Sequence, residues 1–577
     1  MQKLAECMTD ASGPGIERIG RFRSRSSKTD LAIIAVLWGI AVFLVNPIGD
    51  FPLNDDWAMG KTVQHLLQEG RYHPSGWTGM PLITQTLWGA LFCLIPGFSF
   101  TALRFSTLTL SLIGVLGMYC LVRKLGRARW LAMISALTLC FNPIYFALSN
   151  TFMTDVPFTA MIVFSTLFFV RHLQNMNDRD LVAGTVLAIA ATLCRQLGLF
   201  IPLAFAATLL LEHGFQKRWI WRALAPPLFA IAALAIFQWW LSMTGRTPAL
   251  YHTKSDKLLS VLSHPVRLPL NIGYYGWSIL IYLGLFLLPL TAALCFTRDP
   301  SGQFAQLSFW RAILLLIFAV ASLVRFIVLP ALMPVHYNVI IPQGIGPPTL
   351  KDMQDLHLTH VAALPKSFWF FVTALGLLGA ALLILNAAAT GLHLLRKRPT
   401  DLASSNRLLC TFLGLAAIIY LMPLLASGFF DRYLIPLLPL LVGLISVSLD
   451  GSKPLLTKSR FVTAITLTMC FSWFAVAGTR DYLEWNRTRW KAARELLANE
   501  RPNPEKVDGG FEFNGWYSYE TFGKTNWWVI HDSYAIAFGP MPGYKPIREY
   551  HYQNWMPPRR GTIFLLQRTS ADDQKAQ

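Results

Sequence analysis

The sequence predicts an all-α polytopic membrane protein with about thirteen transmembrane helices and a small C-terminal α+β extracytoplasmic domain. Three observations carry this. Of its 577 residues 54% are hydrophobic and only 14% charged, too apolar a balance for a soluble domain. The apolar residues are gathered into runs near the length that crosses a bilayer. The basic residues gather in short segments between those runs, so the net charge of +19 follows the positive-inside rule and implies no nucleic-acid partner. The partner it implies is the lipid bilayer.

The first run, Leu31 to Ile48, follows the basic stretch "ERIGRFRSRSSKTD" and resembles a signal peptide. No small-residue cleavage site follows, so it is read as a retained span behind a basic cytoplasmic tail, 1–29. Further runs fall at about 101–122, 130–148, 157–172, 181–194, 197–211, 220–242, 271–296, 309–329, 367–395, 408–425, 433–449 and 460–478. The connections "RKLGRAR", "RHLQNMNDRD", "EHGFQKRWIWR", "RKRPTDLASSNR" and "DGSKPLLTKSR" then all fall on the N-terminal, cytoplasmic side and are rich in Lys and Arg. The basic connection "TGRTPALYHTKSDKLLSVLSHPVRLPLN" falls on the other side, against the rule. The same parity places the loop 49–81, "NTFMTDVPF", "LCRQLG", the segment 330–366, "FFDRYLIPLLPL" and everything after Gly478 on the outer face. The transmembrane domain is therefore expected over 30–478. The tail 479–577 is too polar to span; "YLEWNRTRWKAARELLANE" reads as an amphipathic helix ahead of short aromatic-rich strands. The eight cysteines are scattered without CxxC spacing, which predicts no disulfide framework.

The residues with chemical potential collect on the outer face. In "NDDWAMGKTVQHLLQEG" the apolar positions Met59, Val63, Leu66 and Leu67 share one helix face and Gly70 stops the helix, so a short surface helix follows Asp55 and Asp56. Capping by Asn54 or Asp55 explains one acid at its N-terminus. It leaves the second unexplained. Asp155 opens the fourth span just before Pro157, where it caps, catalyses or does both. Arg195 in "LCRQLG" sits between two apolar segments, where a cation requires an anion or a cavity. Asp431 and Arg432 stand at the outer mouth of the twelfth span. Among the 19 Trp, most are expected to be interfacial, with Trp57, Trp77, Trp527 and Trp528 as candidates for stacking on a sugar face.

In order along the chain, Asp55-Asp56, Thr154-Asp155, Arg195 in "CRQLG" and Tyr433 to Pro436 resemble the motifs of GT-C integral-membrane glycosyltransferases, in the branch of the protein O-mannosyltransferases and the lipid A aminoarabinose transferase. The resemblance covers roughly residues 30–450. It departs in having Asp56 where the family has Glu, Arg195 where it has Lys, and a tail unlike the sugar-binding repeats of eukaryotic O-mannosyltransferases. It implies a GT-C-like fold in a bacterial inner membrane, a polyprenyl-phosphate sugar as donor and a hydroxyl acceptor on a glycan, lipid or protein. It implies that Asp55 is the base, that Asp56 and Asp155 orient the acceptor, and that Arg195 stabilises the departing phosphate with Lys254, Arg267 and Arg432 beside it. Trp57 and Tyr433 are the expected acceptor or sugar contacts, and the alternative to orienting the acceptor is that Asp56 with Asn54 binds a divalent ion through hard oxygen ligands. The competing reading, a transporter or lipid flippase, requires charges near mid-membrane; here the acids gather at outer helix ends.

Overall fold

The computed structural model describes residues 17–264, 266–294, 304–328, 331–396, 401–449, 458–522, 529 and 531–569. The described residues of each expected span fall largely on helix. Among the described residues ten helices are long and apolar enough to cross a membrane, and an eleventh if Arg129–Cys140 and Pro143–Ser149, bent by 62° at a two-residue break, form one span. The break has a local cause. Asn142 caps the second piece by accepting from the Ile144 and Tyr145 N–H groups, and Pro143 at its first position has no N–H to offer the preceding helix. Asp178–Cys194, with 17 residues, and the apolar stretch Ala312–Val328 are shorter, so length and apolarity alone do not reach the count of thirteen. The chain is a helical, polytopic membrane protein.

Helices pack closely where side chains are small. Gly284 of the helix Arg267–Leu294 meets Gly376 and Gly379 of Lys366–Arg396 so closely that an added Cβ would lie 2.2 Å from the Ala380 nitrogen. The last helix, Lys458–Asn499, has 42 residues. At 1.5 Å per residue it is about 60 Å long, roughly twice the hydrocarbon thickness, and carries the chain out of the bilayer without a break. The amphipathic helix expected after Gly478 is its C-terminal half, so the boundary expected at 478/479 falls inside one helix. The reason is that its C-terminal part keeps apolar positions, Tyr482, Leu483, Trp490 and Leu496, that remain buried.

Two small sheets lie beyond the spans. The strands β1 (Ile340–Ile341) and β2 (Gly344–Ile345) form an antiparallel hairpin within the segment 331–350. The strands β3 (Val507–Asp508), β4 (Tyr534–Ala537), β5 (Tyr544–Gln553) and β6 (Arg560–Arg568) form a sheet in the order β3-β4-β6-β5, parallel at β3-β4 and antiparallel elsewhere. The helix Phe511–Phe522 leaves this sheet and packs on the surface helix Asp56–Glu69. Trp527 and Trp528 lie outside the described residues.

Candidate active site

The acidic loop is held from both sides before it reaches Asp55. Arg104, fully buried, donates to the carbonyls of Pro47, Gly49 and Phe51 at 2.5, 3.1 and 3.0 Å, while Arg487 donates to those of Asn46 and Ile48 at 2.9 and 3.2 Å. Asp50 accepts from the Phe100 N–H at 2.7 Å, joining the loop to the start of the helix Phe100–Lys124. A segment whose backbone carbonyls are met by guanidinium donors is fixed although it forms no regular structure.

The two adjacent acids then part. Asp56, buried, accepts from the Leu53 N–H at 2.5 Å and from the Phe152 N–H at 3.1 Å, fastening the loop to the turn that leads into Asp155. Burial pushes its carboxyl up to about 8. Asp55 is the partly exposed acid. It stands at the helix N-cap position yet makes no side-chain capping bond. Its Oδ1 accepts from the Trp77 Nε1–H at 3.0 Å and its Oδ2 pairs with the Arg432 Nη2 at 3.1 Å.

Arg432 joins Asp55 to a second buried pair. Its Nη1 lies 3.8 Å from Asp155 Oδ2, and Asp155 Oδ1 accepts from the Arg195 Nη1 at 2.6 Å. Both guanidinium groups lie against the Tyr433 ring, at 5.1 Å for Arg195 and 5.6 Å for Arg432. Two carboxylates, two guanidinium groups and one phenol ring thus come from four distant stretches of chain into one cluster. Asp431 takes no part in it. Its carboxylate accepts from the Val339 and Ile340 N–H groups at 3.0 and 2.8 Å and so holds the β1 hairpin in place.

A cavity of about 690 Å³ opens on this cluster. Asp55 and Arg432 are the charged residues that line it among the described residues, with Asn54 and Tyr433 beside them and Trp77, Tyr337 and Phe511 as aromatic wall. Asn338, Gln343, Thr349 and Gln354 supply uncharged polar groups. The mixture of rings, amides and one ion pair is that of a site for a polar, hydroxyl-rich molecule with one charged end.

Several expected residues are placed elsewhere. Arg195 does not line the cavity; it stands behind Arg432, with its guanidinium on Asp155. Asp56 faces the protein interior, because its two oxygens are engaged by backbone N–H groups. Trp57 is buried behind Trp77 against Phe511 and Tyr519 and is no wall of the cavity. Arg267 is exposed and does not line it. The side chain of Lys254 lies outside the described residues, though the neighbouring Thr253 lines the cavity. Asn54 and Asp56 do not fit a metal site: the Asn54 Oδ1 accepts from the Asp55 N–H at 2.9 Å, and Asp56 points away from it.

Three participants escaped the sequence reading. Thr349 and Phe511 line the cavity, and Glu512 lies beneath the acidic loop. For Glu512 the available signal was an acid inside the aromatic run "GGFEFNGWY", which requires a buried partner.

Residues 81–242 match the family model described as dolichyl-phosphate-mannose-protein mannosyltransferase. The chain resembles the GT-C membrane glycosyltransferases. Asp155 and Arg195 lie within the matched segment; Asp55 and Arg432 lie outside it. Similar solved structures include the Saccharomyces cerevisiae protein O-mannosyltransferase Pmt1-Pmt2 complex bound to the sugar donor, at 17% identity and a TM-score of 0.31, over 43% of this chain and 36% of that one. The chain thus spans about a third of the yeast protein it matches. ArnT from Cupriavidus metallidurans is similar over 93% of this chain and 97% of its own, at 14% identity with a TM-score of 0.37 when bound to undecaprenyl phosphate, and at 13% and 0.35 in the apo state. No curated protein matches the chain in sequence.

Proposed function

We propose that this protein transfers a sugar from a polyprenyl-phosphate-sugar donor to a hydroxyl acceptor at the outer face of a bacterial inner membrane. In this reading the N-terminus is cytoplasmic, 30–478 is the catalytic membrane unit, and the C-terminal region is extracytoplasmic. The observation that carries the reading is the Asp55–Arg432 pair at the cavity wall, with the rest of the charge cluster behind it.

The donor's lipid stays in the bilayer, so its phosphate is presented at the membrane surface. Arg432, rather than Arg195, meets that phosphate, because it is the guanidinium that lines the cavity. A phosphate oxygen that takes the Arg432 Nη2–H competes with Asp55 Oδ2 for the same donor. Donor binding therefore frees one oxygen of Asp55 at the moment a base is required. The acceptor oxygen attacks the anomeric carbon from the face opposite the phosphate, and the bond from that carbon to the phosphate oxygen breaks. The acceptor proton passes to Asp55 Oδ2, and Arg432 stabilises the charge on the departing polyprenyl phosphate. Trp77 holds Asp55 through its other oxygen. Asp155 and Arg195 keep Arg432 in place, while the aromatic rings and amides of the wall suit the faces and hydroxyls of a sugar.

The test is purified protein incubated with a panel of labelled polyprenyl-phosphate sugars and hydroxyl acceptors, scoring free lipid phosphate and labelled product. The reading expects both to appear together with one donor. Sugar-independent movement of intact lipid, with no release of phosphate from any donor, overturns it.

A further inference from the structure

The residue that fixes the backbone before Asp55 lies 458 positions later in the chain. Glu512 is fully buried, and its Oε1 accepts from the Asn54 N–H at 2.9 Å. Its Oε2 accepts from the Arg489 Nη1 at 2.7 Å and from the Thr349 hydroxyl at 2.6 Å. The acidic loop, the segment after the β1 hairpin, the second half of the helix Lys458–Asn499 and the C-terminal helix thus meet on one carboxylate. Arg489 is itself buried between the Trp485 and Trp490 rings, at 5.2 and 5.5 Å. Asn54 has φ of +55°, a left-handed conformation that a non-glycine residue holds only when its surroundings fix it.

Two further contacts join the same elements. Phe511, the neighbour of Glu512, donates its N–H to the Thr349 carbonyl at 2.8 Å, and both residues line the cavity. Gly515, one helical turn on, lies so close to Trp57 that an added Cβ would be 2.4 Å from the indole. The C-terminal helix is seated on the helix that begins with Asp56 at the one position with no side chain to obstruct it.

We infer that Glu512 is a positioning residue for Asp55, and that the C-terminal region completes the site instead of standing apart from it. The inference rests on the role proposed above for Asp55. Thr349 forms part of the cavity wall and donates to the carboxylate that holds Asn54, so a ligand that moves the wall also acts on the loop that carries the base.

The test compares Glu512→Gln with Asp532→Asn in the full-length protein. Asp532 is a buried carboxylate bonded to Lys351, Tyr544 and Arg568, away from the acidic loop, and controls for loss of stability. The Gln amide still accepts from Asn54 but presents N–H groups to Arg489 or Thr349. Hydrogen exchange of the segment 50–60 is expected to quicken about tenfold in Glu512→Gln and to stay unchanged in Asp532→Asn. In the same proteins kcat per folded molecule is expected to fall about tenfold in Glu512→Gln, with donor KM within about twofold, and to hold in Asp532→Asn. Should Glu512→Gln not fold, Gly515→Ala displaces the same helix and is expected to reproduce both changes. Wild-type exchange at 50–60, or wild-type kcat, in the folded variant overturns the inference. A wild-type protein inactive with every donor overturns the proposed reaction instead, and the exchange measurement still decides whether Glu512 holds the loop.

Discussion

Asp55→Asn separates chemistry from architecture. The substitution keeps the side-chain shape and the oxygen that accepts from Trp77, but it removes the charge facing Arg432 and the ability to take a proton. Had Asp55 been a helix cap, Asn would replace it at little cost; no capping bond exists here. The structural cost instead comes from the ion pair, whose side chains are 22% and 7% exposed. That lies between an exposed pair and a buried one, so a loss of about 2 kcal/mol is expected. Arg432 keeps Asp155 at 3.8 Å, which limits the damage. Transfer is expected to fall about 10² to 10⁴-fold, the range for loss of a general base. The assay is release of free lipid phosphate by purified protein, normalised to the folded fraction by thermal melting. If Asp55→Asn melts lower by the expected amount but retains most of its turnover, Asp55 is a structural partner of Arg432 and the base lies elsewhere.

Other expectations follow from the same geometry. Arg432→Ala should reduce turnover by at least about 10²-fold and raise donor KM, whereas Arg432→Lys, with charge but no planar fork, should recover part of the rate. Steady-state kinetics over a donor series checks this, and equal rates in both variants would exclude charge as the cause. Asp56 gives a pH signature: its folded pKa near 8 lies above the unfolded value, so the folded state binds the extra proton between the two. Its contribution to stability is complete at acid pH and is lost as pH rises through about 8, with a slope of up to about 1.4 kcal/mol per pH unit. Melting temperatures from pH 5 to 9 should therefore fall with a slope that Asp56→Asn flattens; an unchanged slope in the variant would refute the assignment. Reporter fusions after Arg398 and after Gln577 should report the cytoplasm and the outer compartment, and agreement between them would overturn the topology.

The helical membrane architecture was legible because bilayer-length apolar runs leave few alternatives, and the described residues of those runs fall largely on helix. Asp55, Asp155 and Arg432 were legible for a related reason, that charges at helix ends beside apolar runs are costly unless they meet one another, whereas Tyr433 stood out only through the resemblance. Their meeting was not written in any spacing, since Asp55 and Arg432 are 377 positions apart. The division of labour between Asp55 and Asp56 was hidden too, because adjacent residues at a helix start point about 100° apart and only packing decides which faces the cavity. For Arg195 the sequence shows that a cation between apolar segments requires an anion or a cavity but not which; in the fold it is Asp155 that meets it. The amphipathic helix after Gly478 is legible in its pattern; that it continues the last span is not, because Gly478 is a poor helix former that reads as a stop, and only its packing against Ile345 shows why a glycine stands there. Glu512 shows in the sequence only as an acid that requires a buried partner, and a lone acid in an aromatic run does not name that partner.

The most direct test of the account is the anomeric configuration of the product. One carboxylate, Asp55, lines the cavity among the described residues, while Asp155 is fully buried behind Arg432. A single base and a single displacement invert the configuration at the anomeric carbon, whereas retention through a glycosyl-enzyme requires a second carboxylate placed as nucleophile. Proton NMR of the product from an anomerically defined donor, taken before mutarotation or further reaction, should show inversion. Retention would contradict the roles assigned here to Asp55 and Arg432.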